Sequence, residues 1–289
     1  MNSIPRFETF TRLGFAARGL LYILMGYLAI EAGRSLGTSD VLRTMAGGGL
    51  GRVVLGLVGL GLLAYGAWRL AEAALDLEGS GEGLKGKAVR AGHGGSGVVH
   101  VLLGLLALGL TFGIGMGGGG GGAGAAGGGS DGAQTATAWV LGLPAGEWLV
   151  RLVAVGFIVG GLGEWLQAYK LGFLKQLDGR AQGRAWVKWI GRLGYAARGV
   201  LFILAGLFYW RAAATENPRE AGGLGEALGS LSGWAQLLVA AGLVLFGVFS
   251  LVQAMYRRIT NPQVVERLKG AAGRSGGGRG ATRAAARRG

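Results

Sequence analysis

The sequence predicts an all-α membrane protein of six transmembrane helices, arranged as three parallel-repeat hairpins. Three observations carry this reading. Of 289 residues, 51% are hydrophobic and only 15% are charged. A soluble domain carries about 25% charge, so this chain lacks the polar surface to cover a water-facing globule. Six apolar stretches reach the ~20 residues that a helix needs to cross a ~30 Å hydrocarbon core. One pattern recurs three times, at the start of every odd-numbered stretch.

The same composition excludes other classes. The 63 glycines follow no three-residue period and come with only four prolines, which excludes collagen. There is no Cys, so disulfide scaffolds, thiolate catalysis, Fe–S clusters and Cys-ligated zinc are excluded. A net charge of +14 points to anionic lipid, nucleic acid or membrane topology.

The first span, Leu13–Ala32, follows Arg6 and Arg12. It is too long for the apolar core of a secretory signal, no A-x-A site follows it, and a near copy recurs deep in the chain. Asp40–Met45 is expected as a short surface helix before the second span, Val53–Ala74. Lys85, Lys87 and Arg90 then lead into the third, Ala91–Ile114. The glycine runs Gly117–Gly122 and Gly127–Gly129 form the centre of an outer loop, 113–132, with too little apolar bulk to order itself. The fourth span, Leu149–Ala168, ends at Lys170. Arg184, Trp186, Lys188 and Trp189 suggest an interfacial segment before the fifth, Leu193–Trp210. A second short surface helix, Gly225–Leu231, precedes the sixth span, Ala235–Met255. All four prolines lie outside the spans, as uninterrupted helices require. The organisation is thus hairpin 1 (1–78), hairpin 2 (79–178), hairpin 3 (179–260) and a basic tail (261–289) for which disorder is expected.

Lys and Arg number 21 on the side of both termini and 6 on the other, with Arg18 and Arg198 inside the spans. The positive-inside rule therefore places both termini in the cytoplasm. Trp68, Trp165, Trp186 and Trp189 fall at inner boundaries, and Trp139, Trp148, Trp210 and Trp234 at outer ones, as an aromatic belt would.

The repeat is explicit. RLGFAARGLLYIL from Arg12 reappears as RLGYAARGVLFIL from Arg192 and more weakly as RAGHGGSGVVHVL from Arg90. Glycines recur at Gly14, Gly92 and Gly194, at Gly19, Gly97 and Gly199, and at Gly26, Gly104 and Gly206. The last two of each copy are seven apart and share a helix face, a small-residue stripe on which another helix can pack closely. Among even-numbered spans, Gly59, Gly156 and Gly242 align, with Ala71, Ala168 and Ala254 twelve residues on. All three copies enter the membrane from the same side, so the repeats are parallel. A pseudo-threefold axis along the membrane normal and a linear row of hairpins both satisfy this plan.

The opening Arg-Leu-Gly-aromatic-Ala-Ala-Arg-Gly of the first and third hairpins, with three tandem hairpins in all, resembles a bacterial membrane family catalogued as a domain of unknown function. That resemblance covers most of Arg12–Arg258 and implies a paired-helix module present three times, in the cytoplasmic (inner) membrane of a bacterium. The middle copy departs from it, with His93, Gly94, Gly95 and Ser96 in place of aromatic-Ala-Ala-Arg. The family implies no activity and no site residues.

Among candidate sites, Arg18 and Arg198 lie six residues past an interfacial Arg, about 9 Å inward at 1.5 Å per residue. Three readings apply: snorkelling to inner-leaflet phosphates, pairing with acids on even-numbered helices, or a substrate or proton role. Glu164 matches their depth as a partner, and Glu72 stands at the inner end of the second span. His93 and His100 share one helix face, and His100 takes the place of Tyr22 and Phe202 in the other copies. Packing substitution is the simplest role for it, and a proton relay the sharper one. Haem would want histidines on facing helices and catalytic zinc a third ligand, so neither cofactor nor metal is expected.

No nucleophile–base set or nucleotide-binding loop stands in the sequence, so no enzyme is expected. The leading expectation is a structural or interaction protein of the cytoplasmic membrane, held by glycine-mediated packing. The alternative is a small-solute or ion transporter along the pseudo-threefold axis, using Arg18, Arg198, Glu164 and His100. Expected partners are the bilayer, its anionic inner-leaflet lipids, and a second copy or another membrane protein. Specific nucleic-acid binding is not expected, because no aromatic residues interleave the arginines of the tail. A transporter would aim its polar groups at a wet cavity; a packing protein would have a dry, glycine-lined centre.

Overall fold

The computed structural model describes residues 3–32, 38–47, 49–76, 80–113 and 130–257. Six long helices are apolar enough to cross a membrane: α1 (Ser3–Ala32), α3 (Gly49–Leu75), α4 (Leu84–Phe112), α6 (Gly146–Lys170), α8 (Ala185–Ala214) and α10 (Gly233–Tyr256). Shorter ones are α2 (Thr38–Met45), α5 (Ser130–Leu141), α7 (Gly179–Gln182) and α9 (Leu224–Gly229), with 3-10 turns at Gly172–Gln176 and Pro218–Glu220. Helices α1, α4 and α8 begin seven to ten residues before the expected spans, because their Arg- and Lys-bearing first turns continue the helix past the apolar segment. Helices α2 and α9 are the two surface helices expected. Helix α5 was not expected; its Ala- and Thr-rich sequence has no charge after Asp131 and buries Ala133 beside Val150 and Ala212. The glycine runs of the outer loop and the tail beyond Arg257 lie outside the described residues.

Three seams of the same construction join an even helix to the next odd one. In α10/α1, a Cβ on Gly19 would lie 2.8 Å from the Gly247 carbonyl oxygen; in α3/α4, one on Gly97 would lie 3.0 Å from that of Gly66; in α6/α8, one on Gly199 would lie 2.9 Å from that of Gly161. Two turns further along the same face, Gly26, Gly104 and Gly206 meet the carbonyls of Ala240, Gly59 and Ala154. No methyl fits at these contacts, so backbones touch backbones, which is how helices gain dispersion energy in lipid where no hydrophobic effect drives them together. Because α10 packs on α1, the helices follow in the order α4, α3, α1, α10, α8, α6: an open, pseudo-threefold ring whose two ends, α4 and α6, are not packed on each other. These seams also correct the even-helix alignment. Gly61, not Gly59, corresponds to Gly242, since Gly61 packs on Ala17 as Gly242 packs on Ala197. By the same shift Ala73, not Ala71, matches Ala168 and Ala254.

At the basic end, arginine clamps lock the α3/α4 and α6/α8 seams. Arg90 donates to the carbonyls of Ala73 (2.7 Å) and Ala74 (3.2 Å), and Arg192 to those of Ala168 (3.1 Å) and Tyr169 (3.4 Å). Each satisfies carbonyls that the end of the preceding even helix would leave orphaned, and places a cation at its negative pole.

Within hairpins the seams differ. Gly14 packs on the backbone of Tyr65 in hairpin 1 and Gly194 on that of Phe246 in hairpin 3. In hairpin 2 the corresponding positions are all glycine: Gly92, Gly95, Gly156 and Gly160. Gly92, Gly95 and Gly156 have nothing within 4 Å, and Gly160 touches only the Phe202 ring of α8. Gly92 is therefore not a packing glycine: the aromatic ring and methyl that fill this seam elsewhere are missing, and the α4/α6 seam stands open.

At the end opposite the basic one, α2 and α9 fold over the ring. Val41, Leu42, Ala227 and Leu228 are at most 1% exposed and join Met25, Leu55, Leu103, Leu201 and Leu243 in one core. At the basic end, Phe173, Leu177 and Ala181 pack against Val187, Phe249 and Val252, and the Asp178 N–H donates to the Tyr256 carbonyl (2.7 Å). Seven tryptophans are exposed as a lipid belt would have them, but Trp68 is buried, inside the ring beside Arg257.

Candidate functional site

The polar side chains of the spans gather in the basic half of the ring. Arg18 is buried. Its guanidinium donates to the Tyr65 hydroxyl on α3 (2.6 Å), and to the Ser250 hydroxyl (3.2 Å) and Gln253 side-chain oxygen (2.7 Å) on α10. The rings of Phe15, Tyr65 and Phe246 surround it at 4.9–5.1 Å. Such aromatic faces stabilise a desolvated cation by cation–π attraction. Arg18 therefore does not snorkel: α1 presents it to the ring interior, against side chains of α3 and α10.

Arg198 holds the equivalent place on α8. It pairs with Glu164 on α6 at 2.7 Å and donates to the Tyr22 hydroxyl on α1 at 3.2 Å. Phe246 lies between the two arginines, 5.1 Å from Arg18 and 4.9 Å from Arg198.

Glu72 is the hub of a third group. Its carboxylate accepts from Arg69 (2.8 Å) and from Arg257 at the end of α10 (3.2 Å), with His93 Nδ1 3.7 Å away. It partners neither Arg18 nor Arg198. It ties α3 to α10 at the basic end, beside His93 of α4. The His100 Nδ1–H donates to the Ser96 carbonyl (2.7 Å), and its ring stands edge-on to Tyr65, 4.6 Å between centroids.

The ring thus unites all five intramembrane candidates, Arg18, Arg198, Glu164, His100 and Glu72, in one connected nest. Sequence reasoning missed Tyr65, Arg69, Ser250, Gln253 and Arg257. A signal was available: Tyr65 and Arg69 are one turn apart on one face, as are Ser250 and Gln253, so each pair offers two polar groups to the same neighbour. Repeat correspondence adds that Arg69, Glu164 and Ser250 occupy one shared position, and Arg18, Ser96 and Arg198 another. The nest is built from repeat positions that have diverged in charge. Among the described residues no three His, Asp or Glu side chains are close enough to hold a metal ion.

Sequence comparisons follow the same threefold division. The model of the family described as Domain of Unknown Function (DUF1206) matches at residues 13–76, 91–170 and 193–257, one match per hairpin. The uncharacterised protein YxxB of Bacillus subtilis (strain 168) is 31% identical over 271 residues, covering 89% of this chain and 93% of that protein. No solved structure matches. With its triplicated hairpin matched in every copy, this multi-pass membrane protein belongs to the DUF1206 family.

Proposed function

We propose that the chain is a structural or interaction protein of the bacterial cytoplasmic membrane, neither transporter nor enzyme, with both termini in the cytoplasm. The observation that carries this reading is the state of Arg18: it is 4% exposed and gives its terminal nitrogens to Tyr65, Ser250 and Gln253. A transport path would aim such a cation at water, whereas here it joins helices from two hairpins. The apolar cap of Val41, Leu42, Ala227 and Leu228 over the opposite end supports the same reading. What such a ring offers a partner is its lipid-facing surface, above all α6, on which Leu152, Val159, Leu162 and Leu166 are exposed. The excess of Lys and Arg at the basic end suits anionic lipid and supports cytoplasmic termini.

A second reading, a small-solute or ion pathway, draws on one observation. Among the described residues, the second carboxylate oxygen of Glu164 is buried without a hydrogen-bond partner, on the helix that borders the open seam. One experiment separates the two. The intact protein and the Glu164→Ala and Arg198→Ala variants are reconstituted in liposomes and assayed for ion and solute flux. The packing reading expects flux equal to that of empty liposomes for all three; flux by the intact protein that falls in both variants contradicts it.

A further inference from the structure

The two helices at the ends of the open ring leave backbone bare on the faces they turn to each other. Gly92 and Gly95 of α4, and Gly156 and Gly163 of α6, have no neighbour within 4 Å. The same helices expose Val98, Leu105, Leu152 and Val159. Their backbone polar groups are satisfied within each helix, so hydrocarbon can fill the gap between them and supply the dispersion contact that is missing.

Each of these faces ends in a lysine at the basic end of the ring. Lys85 precedes Gly92 by seven residues and Lys170 follows Gly163 by seven, about two helical turns in each case. Both lysines are exposed, and among the described residues neither pairs with an acid. Helix α4 contains no Asp or Glu. The acids nearest in sequence are placed elsewhere: Asp76 accepts from the Ser80 and Gly81 N–H groups, Glu82 stands before α4, Glu164 pairs with Arg198, and Asp178 lies in the turn tied to α10. Lys87 and Lys175, both exposed, add to the positive charge.

We propose that the open α4/α6 seam is a binding site for one anionic phospholipid, its acyl chain lying along the glycines and its phosphate held at the basic end by Lys85 and Lys170. The charges select this occupant. A second copy of the chain in the same orientation would bring its own Lys85 and Lys170 to the same end, like charge against like, whereas a phosphate neutralises both lysines. A zwitterionic lipid would fill the gap with the same hydrocarbon but would bring an ammonium group to the lysines as well. The site shares with the packing reading only its partner, anionic lipid. Flux in the liposome assay would overturn the packing reading and leave the seam site standing.

Native mass spectrometry of the intact protein in detergent, with phosphatidylglycerol or phosphatidylcholine added, tests this. One phosphatidylglycerol per chain is expected to bind about thirtyfold more tightly than phosphatidylcholine, and the double variant Lys85→Gln, Lys170→Gln should erase that preference. Gly95→Leu with Gly156→Leu, which fills the seam with side chains, should weaken binding of both lipids. Arg184→Gln with Lys188→Gln, which removes as much charge from the start of α8 on the other side of α6, should leave the preference intact. Equal affinity for the two lipids in the intact protein overturns the proposal, as does a preference that survives loss of Lys85 and Lys170 or falls as far with loss of Arg184 and Lys188. A dimer that disappears when the seam is filled places a second copy there and overturns it too. Should the seam-filled variant fail to fold, the two charge variants still decide.

Discussion

Hairpins 1 and 3 close on themselves, and hairpin 2 does not. In the closed pair, Gly14 and Gly194 receive the backbones of Tyr65 and Phe246; in the open one, Gly92, Gly95 and Gly156 face nothing within 4 Å. Yet the seams from each even helix to the next odd helix are alike in all three repeats. Contacts between hairpins are therefore the conserved framework of the ring, and those within a hairpin are its variable part. The difference traces to single positions: where the closed hairpins place an aromatic ring, the middle one has Gly160, and where they place Arg18 and Arg198 it has Ser96. Loss of the ring-filling side chain and loss of the arginine go together, and Arg69 on the facing even helix restores a cation to that third of the nest.

Thermal unfolding in detergent can break or sharpen this contrast. The largest effect is expected for Glu72→Ala. It strips the fully buried acid from Arg69 and Arg257, and breaking a buried ion pair from one side destabilises by about 3–5 kcal/mol. Glu164→Ala, whose side chain is 15% exposed and which has a single arginine partner, should lose less, about 1–3 kcal/mol. Next come the closed seams: Gly14→Ala and Gly194→Ala force a methyl against backbone and should destabilise by about 1–3 kcal/mol through overpacking. The same substitution in the open seam, Gly92→Ala or Gly156→Ala, meets no neighbour and should raise stability by up to ~1 kcal/mol through helix propensity. Equal losses at Gly14 and Gly92 would abolish the distinction. Smallest of all, Arg211→Ala removes an ion pair in which Arg211 is 69% exposed, and should change stability by less than ~1 kcal/mol.

Much of this was legible beforehand. Spans, short outer helices and parallel repeats follow from hydrophobic length and internal identity, which act locally along the chain, whereas the burial of those outer helices over the ring did not show in the sequence. The order of helices around the open ring was not legible, because a stripe of glycines says that a helix will pack there without naming which helix. The two-residue slip in the even-helix alignment arose because Gly59 and Gly61 are both present, and only their partners, Gly104 on one side and Ala17 on the other, tell them apart. Glu164 was legible as a partner for a buried arginine because opposite charges at equal depth attract. The setting of Arg18 was not, since a phenol, a hydroxyl and an amide from helices far apart in sequence carry no charge pattern to read. Trp68 misled for a related reason: indole at a helix end suits a headgroup and also suits the face of a buried arginine.

The ring with one open seam is tested most directly by cross-linking, which the absence of native Cys makes clean. Two cysteine pairs are compared in membranes with a short thiol-reactive linker: Tyr22→Cys with Phe246→Cys across α10/α1, and Gly95→Cys with Gly156→Cys across α4/α6. The open ring requires efficient linkage of the first pair, whose parent rings meet edge-on at 4.9 Å, and none of the second. Linkage of the second pair with none of the first would contradict it.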